Sequence, residues 1–282
     1  MPSENTQKTS SCLYVIATPI GHLSDLSARA CQTLADVDLV VCENKTKAWG
    51  LMRHLGIKKT LISMNAGNEH RQLNLIQKYL SESKQLALIT DAGTPAISDP
   101  GYQLVRLCHQ KSIRVVPIPG PCAAITAISA SGIPSAEFVF VGFLPKAIHA
   151  RQQCLSHWHD SVKTIVFYES AKRLMQTLSD CLDIFGPLAE VCVARELTKI
   201  HESIQTSTLG EYLNRDVGGI IKGECVVMIA GVHKDQSQLS SQERHMFDVL
   251  RKENSLSHAA HLCALISKRP RSLFYRYGQS NE

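Results

Sequence analysis

The sequence predicts an α/β protein: two α/β domains with a cleft between them, followed by a C-terminal helical tail. Three observations carry this expectation. Short apolar runs alternate with helically spaced segments through residues 12–118, and the alternation restarts after Pro121. From residue 233 the composition turns polar, then basic. Strand and helix patterns alternating at this rhythm indicate a largely parallel sheet with helices on both faces. The expected divisions are a disordered lead-in at 1–11, domains at 12–118 and 119–232, and a linker with basic helical tail at 233–282.

The elements follow in order. Leu13–Ala17 is a short apolar strand that breaks at Thr18-Pro19-Ile20-Gly21, and Leu26–Leu34 has helical spacing. Asp38–Cys42 is a second strand, ending in Glu43-Asn44-Lys45-Thr46, and a helix over Ala48–Leu55 stops at Gly56. A short strand near Leu61 precedes an amphipathic helix marked by Leu73, Ile76 and Leu80. Leu86–Ile89 and Val115–Ile118 are strands flanking a helix around Leu104–Cys108. Strands are then expected at Phe138–Val141, Thr164–Tyr168, Glu190–Arg195, Ile200–Thr206 and Cys225–Ala230, with a helix over Ala171–Ile184 closed by Gly186-Pro187.

Two loops organise the chain. The run ending at Ile89 breaks into Asp91-Ala92-Gly93-Thr94-Pro95 and Ser98-Asp99-Pro100-Gly101, and the run ending at Ile118 breaks into Pro119-Gly120-Pro121-Cys122. In open α/β sheets ligands bind outside the carboxyl ends of the strands. Gly93 and Gly120 lack a Cβ, so a ligand can approach the backbone, while the prolines stiffen the loops. By composition alone the same residues also suit two tight turns of an ordinary α/β protein.

Composition narrows the function classes. The 282 residues carry a formal charge of +5, which permits an RNA substrate without requiring one. Ten cysteines form no C-x-x-C pair and sit in apolar surroundings, which favours buried, reduced thiols in a cytoplasmic protein. The histidines and cysteines show no metal-ligand spacing. The polar start MPSENTQKTSS has no signal-peptide core, and no apolar run approaches a membrane span. A nucleophile elbow, a P-loop and G-x-G-x-x-G are all missing, which disfavours hydrolases, nucleotide triphosphatases and nicotinamide enzymes.

The words DAGTPAISDPGYQLVR, IRVVPIPGPCAAITAISASGIPS and GFLP, with LYVIATPIG before them and FYES and ARELTK after, stand in one order along the chain. In this the sequence resembles the bacterial small-subunit ribosomal RNA methyltransferase I family, a branch of the tetrapyrrole (corrin/porphyrin) methylases. The resemblance implies a two-lobed α/β homodimer that binds S-adenosylmethionine in its cleft. It also implies transfer of a methyl group to the 2′-hydroxyl of a cytidine in the decoding region of small-subunit (16S) ribosomal RNA. Such a transfer needs positioning of donor and acceptor, not a metal or a covalent nucleophile.

Residue by residue, the resemblance assigns cofactor contacts to Asp91, Ala92, Gly93, Pro95 and Ile97, and to Pro121, Cys122, Ala123 and Ala124 at a helix N-terminus. It adds Tyr168, Glu169, Arg195, Glu196, Leu197, Gly223, Glu224 and Cys225. Tyr168 also reads as a core tyrosine, and Arg195–Glu196 as a structural ion pair. Relatives typically read T-P-I-G-N, E-D-T-R and H-D-H-N-E where this chain has His22, Glu43-Asn44-Lys45-Thr46 and Asn65-Ala66-Gly67-Asn68-Glu69. Glu43 is the expected general base, with His22 in reserve. Lys45, Arg53, Asn68, Glu69, Arg151, Arg269 and Arg271 are the expected RNA contacts, and Phe274, Tyr275 or Tyr277 are available for stacking. The segment SLSHAAHLCALISKRPRSLFYRYG suggests two helical stretches broken at Pro270, or a solvated tail. Two other readings stand beside the first: a tetrapyrrole methyltransferase of the same fold, or a catalytically degenerate protein that binds RNA or cofactor.

Overall fold

The computed structural model describes residues 11–65, 67–215, 223–231, 239 and 241–280. The expected lead-in and linker lie outside the described residues, apart from Ser11 and Leu239. The chain divides into two compact units, residues 1–230 and 231–282.

The first unit holds two five-stranded sheets. One contains β1 (Cys12–Ile16), β2 (Leu39–Cys42), β3 (Thr60–Ser63), β4 (Gln85–Ile89) and β5 (Arg114–Ile118) in the order β3-β2-β4-β1-β5, all parallel. Its crossovers carry α1 (Ala28–Asp36), α2 (Lys45–His54), α3 (Glu69–Ser81) and α4 (Tyr102–Gln110). Alternate residues of one strand serve opposite faces. Leu86 and Leu88 join a core with Leu104 and Cys108 of α4, while Ala87 and Ile89 join one with Ala30 and Leu34 of α1. A sheet buried on both faces needs continuous apolar strands, and Leu39–Cys42 is buried throughout.

After α5 (Ala123–Ser131), the second sheet runs β6 (Phe138–Phe143), β7 (Thr164–Ser170), β8 (Glu190–Arg195), β9 (Ser203–Thr208) and β10 (Glu224–Ile229), in the order β6-β7-β10-β8-β9. Only β6 and β7 are parallel; β10 runs antiparallel to β7 and β8, and β8 to β9. The expectation of a largely parallel arrangement therefore fails here. The connection between β8 and β9 spans only 196–202, too short for a crossover helix, so the chain turns straight back. One face packs on α7 (Leu174–Phe185) and α8 (Leu209–Asn214), through Phe167, Val193, Leu178 and Tyr212. The other packs on α5, through Val166, Met228 and Ala127. The remaining helix, α6 (Ile148–Ser156), contributes Leu155 to the first of these cores. All ten cysteines are free thiols, seven of them buried.

Among its described residues the second unit has α9 (Ser241–Arg251) and then, in the segment expected to hold two helical stretches, α10 (Leu256–Ser267) and α11 (Arg271–Gln279), parted at Pro270 as expected. Ser255 caps α10 by accepting from His258 N, and Lys268 ends it in the left-handed conformation, just before Pro270. Phe247, Ala260, Cys263, Leu273 and Phe274 form a core of its own. Phe274 is fully buried, so it cannot stack on RNA; Tyr275 is exposed. No described helix is long and apolar enough to cross a membrane.

Candidate active site

The loops after β1, β2, β4 and β5 all leave the first sheet at carboxyl ends of parallel strands, where side chains and free backbone groups converge. They are tied to one another. Thr18 and Gly93 exchange backbone hydrogen bonds of 2.9 and 3.0 Å. The Thr18 hydroxyl donates to Thr90 O at 3.1 Å, and the Thr94 hydroxyl to Pro121 O at 3.0 Å. The antiparallel turn of the second sheet then brings the start of β10 beside the ends of β7 and β8, with Glu224 opposite Ser170 and Cys225 opposite Arg195. Between these two sets of loops lies a cleft of about 270 Å³.

Twelve of the expected residues line it: Glu43, Asp91, Ala92, Gly93, Ile97, Cys122, Ala123, Tyr168, Glu196, Leu197, Glu224 and Cys225. Gly93 has φ +82°, and a Cβ there would lie 3.5 Å from Ile20 Cγ2 and 3.8 Å from Pro121 O, inside the slot. Thr94, Ser98 and Asp99, from the loop expected to bind a ligand but not singled out within it, also line the cleft, as do Ile20, Lys47, Phe143, Ala194, Lys199 and Val226. They come from segments far apart in sequence, and only their position at strand ends signals them.

The cleft is acidic. Lys47 Nζ pairs with Asp91 Oδ2 at 2.9 Å, and Lys199 Nζ with Glu196 Oε1 at 2.8 Å. Glu43, Asp99 and Glu224 also line it, and none has an ion-pair partner among the described residues. Burial, reinforced by Glu43, Asp91 and Glu224, pushes the Asp99 carboxyl up to about 6. The Asp91 carboxylate holds the Lys47 ammonium above its usual value, and the Lys199 ammonium holds the Glu196 carboxyl below its own. Burial raises the Tyr168 hydroxyl well above the usual tyrosine range. Its ring packs against Phe140 and Phe143, with centroids 4.9 and 5.4 Å away. Phe143 itself is 56% exposed.

Seven expected residues stand outside the lining. His22 caps the short turn 23–25, accepting from Ser24 N at 3.3 Å through Nδ1, so its ring is not turned to the cleft. Glu169 is 1% exposed and spends its carboxylate on Ser170 N, the Thr177 hydroxyl and Arg173. Pro95 and Ala124 are buried, and Pro121, Arg195 and Gly223 frame the cleft without lining it. The Ala124 N–H, at the N-terminus of α5, donates to the Tyr168 hydroxyl at 3.3 Å.

The expected RNA residues divide. Lys45 and Arg53 are exposed, Arg53 lying 5.1 Å over the Trp49 ring. Arg151 is 1% exposed: its Nε bonds Asp180 Oδ2 at 2.6 Å and its Nη1 reaches Lys146 O at 3.3 Å. It is a buried ion pair and cannot meet RNA. Asn68 accepts from Asn65 N at 2.8 Å and donates to Ser63 O at 3.2 Å, so its amide is spent within its own loop, and Glu69 Oε1 is buried. In the second unit Arg269 is mostly covered beside Glu243, while Arg271 is exposed and donates to the Ser257 hydroxyl. Asn44 accepts from Thr46 N and Lys47 N at the start of α2. Asparagine caps a helix about as well as aspartate, so this departure from the usual aspartate keeps the local fold.

The comparisons with known proteins agree with one another. The model of the tetrapyrrole (corrin/porphyrin) methylases matches residues 12–213. A protein of Escherichia coli O157:H7 named ribosomal RNA small subunit methyltransferase I is 39% identical over 267 residues, covering 94% of this chain and 93% of its own. Proteins of the same name from Haemophilus influenzae and Vibrio cholerae are each 40% identical over 271 and 273 residues, again with 94–95% of both chains covered. A cobalt precorrin-4 methyltransferase of cobalamin biosynthesis superposes on 81% of this chain with a TM-score of 0.57 at 14% identity. A uroporphyrin-III C-methyltransferase from Thermus thermophilus does so on 78% with a TM-score of 0.53 at 18% identity. At these identities the two structures share the fold.

Proposed function

Because the chain belongs to the tetrapyrrole (corrin/porphyrin) methylase family, we propose that its cleft is a methyl-transfer site and that the methyl acceptor is RNA of the small ribosomal subunit. The enzyme uses S-adenosylmethionine. The acceptor group is the 2′-hydroxyl of a cytidine in the decoding region. The observation that carries the reading is the lining: an excess of carboxylates beside a glycine cradle, with an apolar wall opposite. When bound, S-adenosylmethionine supplies a methyl group on a positively charged sulfonium.

The chain's own residues suit that charge. Glu43, Asp91, Asp99 and Glu224 set up a negative field in a partly desolvated cleft, where charge interactions are stronger than in water. Gly93 leaves room for a ligand against the backbone, and Leu197, Val226 and Ala194 offer apolar surface for a purine. Phe143 offers an exposed ring face at the cleft on which a splayed-out base can stack. In this reading residues 12–118 supply the substrate mouth and part of the cofactor site, and residues 119–232 complete the cofactor site. Lys45, Arg53 and the exposed bases of the second unit serve the RNA backbone. The enzyme works in the cytoplasm as a homodimer.

The test is transfer of label from radiolabelled S-adenosylmethionine to small ribosomal subunits that lack the modification. Label in the subunit's RNA supports the reading. Label only on an added tetrapyrrole, or on nothing while cofactor binding is intact, overturns it.

A further inference from the structure

A ribose hydroxyl is a weak acid, and an enzyme that methylates it gains from a carboxylate placed to take its proton. Resting on the function proposed above, we propose that Asp99 is that proton acceptor. Asp99 lines the cleft between the first-sheet loops and the aromatic pair Phe143 and Tyr168. The loop that presents it is held in a costly conformation. Ala96 and Ser98 have φ of +68° and +63°, and Gly101 has φ +126° where a Cβ would meet Leu88 Cδ2 at 2.7 Å. Such strain persists only where packing over-determines it, and it concentrates at functional sites. Two further non-glycine residues with positive φ, Glu196 and Thr198, sit in the loop across the cleft.

The surroundings tune the group for proton uptake near neutral pH. From the β2 side Glu43 and Lys47 face the cleft, from the β4 side Asp91, and from the α5 N-terminus Cys122. From the second sheet come Tyr168, then Glu196 and Lys199, then Glu224 and Cys225. The two lysines are engaged by Asp91 and Glu196, so the charges left nearest to acting on Asp99 are carboxylates. The Thr90 hydroxyl, 4% exposed, interacts with the Asp99 carboxyl without reaching full hydrogen-bond geometry. The result is a carboxyl poised at about 6, ionised at neutral pH yet a far better base than an exposed aspartate. In the step, the hydroxyl oxygen forms its bond to the methyl carbon while the methyl–sulfur bond breaks, its electron pair staying on sulfur. The hydroxyl proton passes to the Asp99 carboxylate and from there to water.

The experiment uses the full chain, radiolabelled S-adenosylmethionine and unmodified small subunits, with Asp99→Asn, Asp99→Glu and Glu43→Gln beside the wild type. Wild-type kcat/KM for S-adenosylmethionine, which reports the free enzyme, is expected to rise with pH through about 6. Asp99→Asn should lower it by roughly 100-fold or more and abolish that rise, while cofactor binding by calorimetry weakens but stays measurable because Glu43, Asp91 and Glu224 keep the cleft negative. Asp99→Glu should recover part of the rate. Glu43→Gln removes a neighbouring negative charge, so it should keep the rise and move it to lower pH.

A second readout needs no turnover. The Asp99 carboxyl is raised from 3.8 to about 6 on folding, so its contribution to stability is present below 3.8 and lost as the pH rises through about 6. Asp99→Asn should match the wild type in melting temperature near pH 4 and exceed it at pH 8. A wild-type rate profile left intact in Asp99→Asn, or a rise abolished by Glu43→Gln instead, overturns the assignment. A wild type that labels no RNA overturns the function on which it rests.

Discussion

Gly93 and Arg151 show how differently single residues of this chain translate into function. At Gly93 the missing side chain is the feature: φ of +82° favours glycine, and a longer side chain would extend from there into the slot beside Ile20 and Pro121. Gly93→Leu should abolish S-adenosylmethionine binding in calorimetry while the protein still melts cooperatively; normal affinity would remove the slot from the site. At Arg151 the side chain is held inside the fold, its Nε on Asp180 and its Nη1 on Lys146 O. Arg151→Ala leaves Asp180 buried without its partner and should cost about 3–5 kcal/mol in denaturant unfolding. It should leave the RNA affinity of the folded protein unchanged. The expectation of an RNA contact at Arg151 rests on its match, after GFLP, to a basic position of the resembling family; its burial depends on Asp180, which lies on another helix. A local clue existed, since Leu155 follows at i+4 and shares the buried face of α6. Asp99 was visible as part of a turn, Ser98-Asp99-Pro100-Gly101. What makes it chemically distinctive is its convergence with Glu43, Asp91 and Glu224, which no linear spacing reveals.

At the scale of elements, most strands are legible because they are short apolar runs ended by a polar or glycine-containing break; β9, with the polar run SIQTST, starts three residues later than expected. Glu190–Arg195 agrees at both ends with the expectation, and β1, β2, β4 and β5 agree within a residue or so. Strand direction was not legible: a period of two describes parallel and antiparallel strands alike. The length of a connection does encode direction, and 196–202 is the place where that signal stood in the sequence. The antiparallel pairing of β10 with β7 and β8 matters for the site, because it is what brings Glu224 and Cys225 to the cleft. In the second unit the helical spacing and Pro270 were readable, but an inward Phe274 was not, since exposed and buried aromatics look the same in a basic segment. Lys252, Lys268, Arg271 and Arg276 remain exposed there. Deleting residues 240–282 should weaken RNA binding and flatten its salt dependence without changing cofactor affinity. An unchanged salt slope would take this unit out of the RNA-binding surface.

Across the whole molecule, charge is segregated. The chain carries a formal +5, yet its cleft gathers five carboxylates against two lysines. A basic exterior attracts a polyanion, while an acidic cleft attracts a cation, so donor and acceptor are drawn by opposite fields. The central claim is that these fields meet at a ribose hydroxyl. Alkaline hydrolysis of the labelled RNA tests it most directly, because alkali cleaves beside a free 2′-hydroxyl and not beside a methylated one. The transferred label is expected in an alkali-resistant dinucleotide with cytidine as its 5′ nucleoside. Label recovered in mononucleotides would place the methyl group on a base and contradict it.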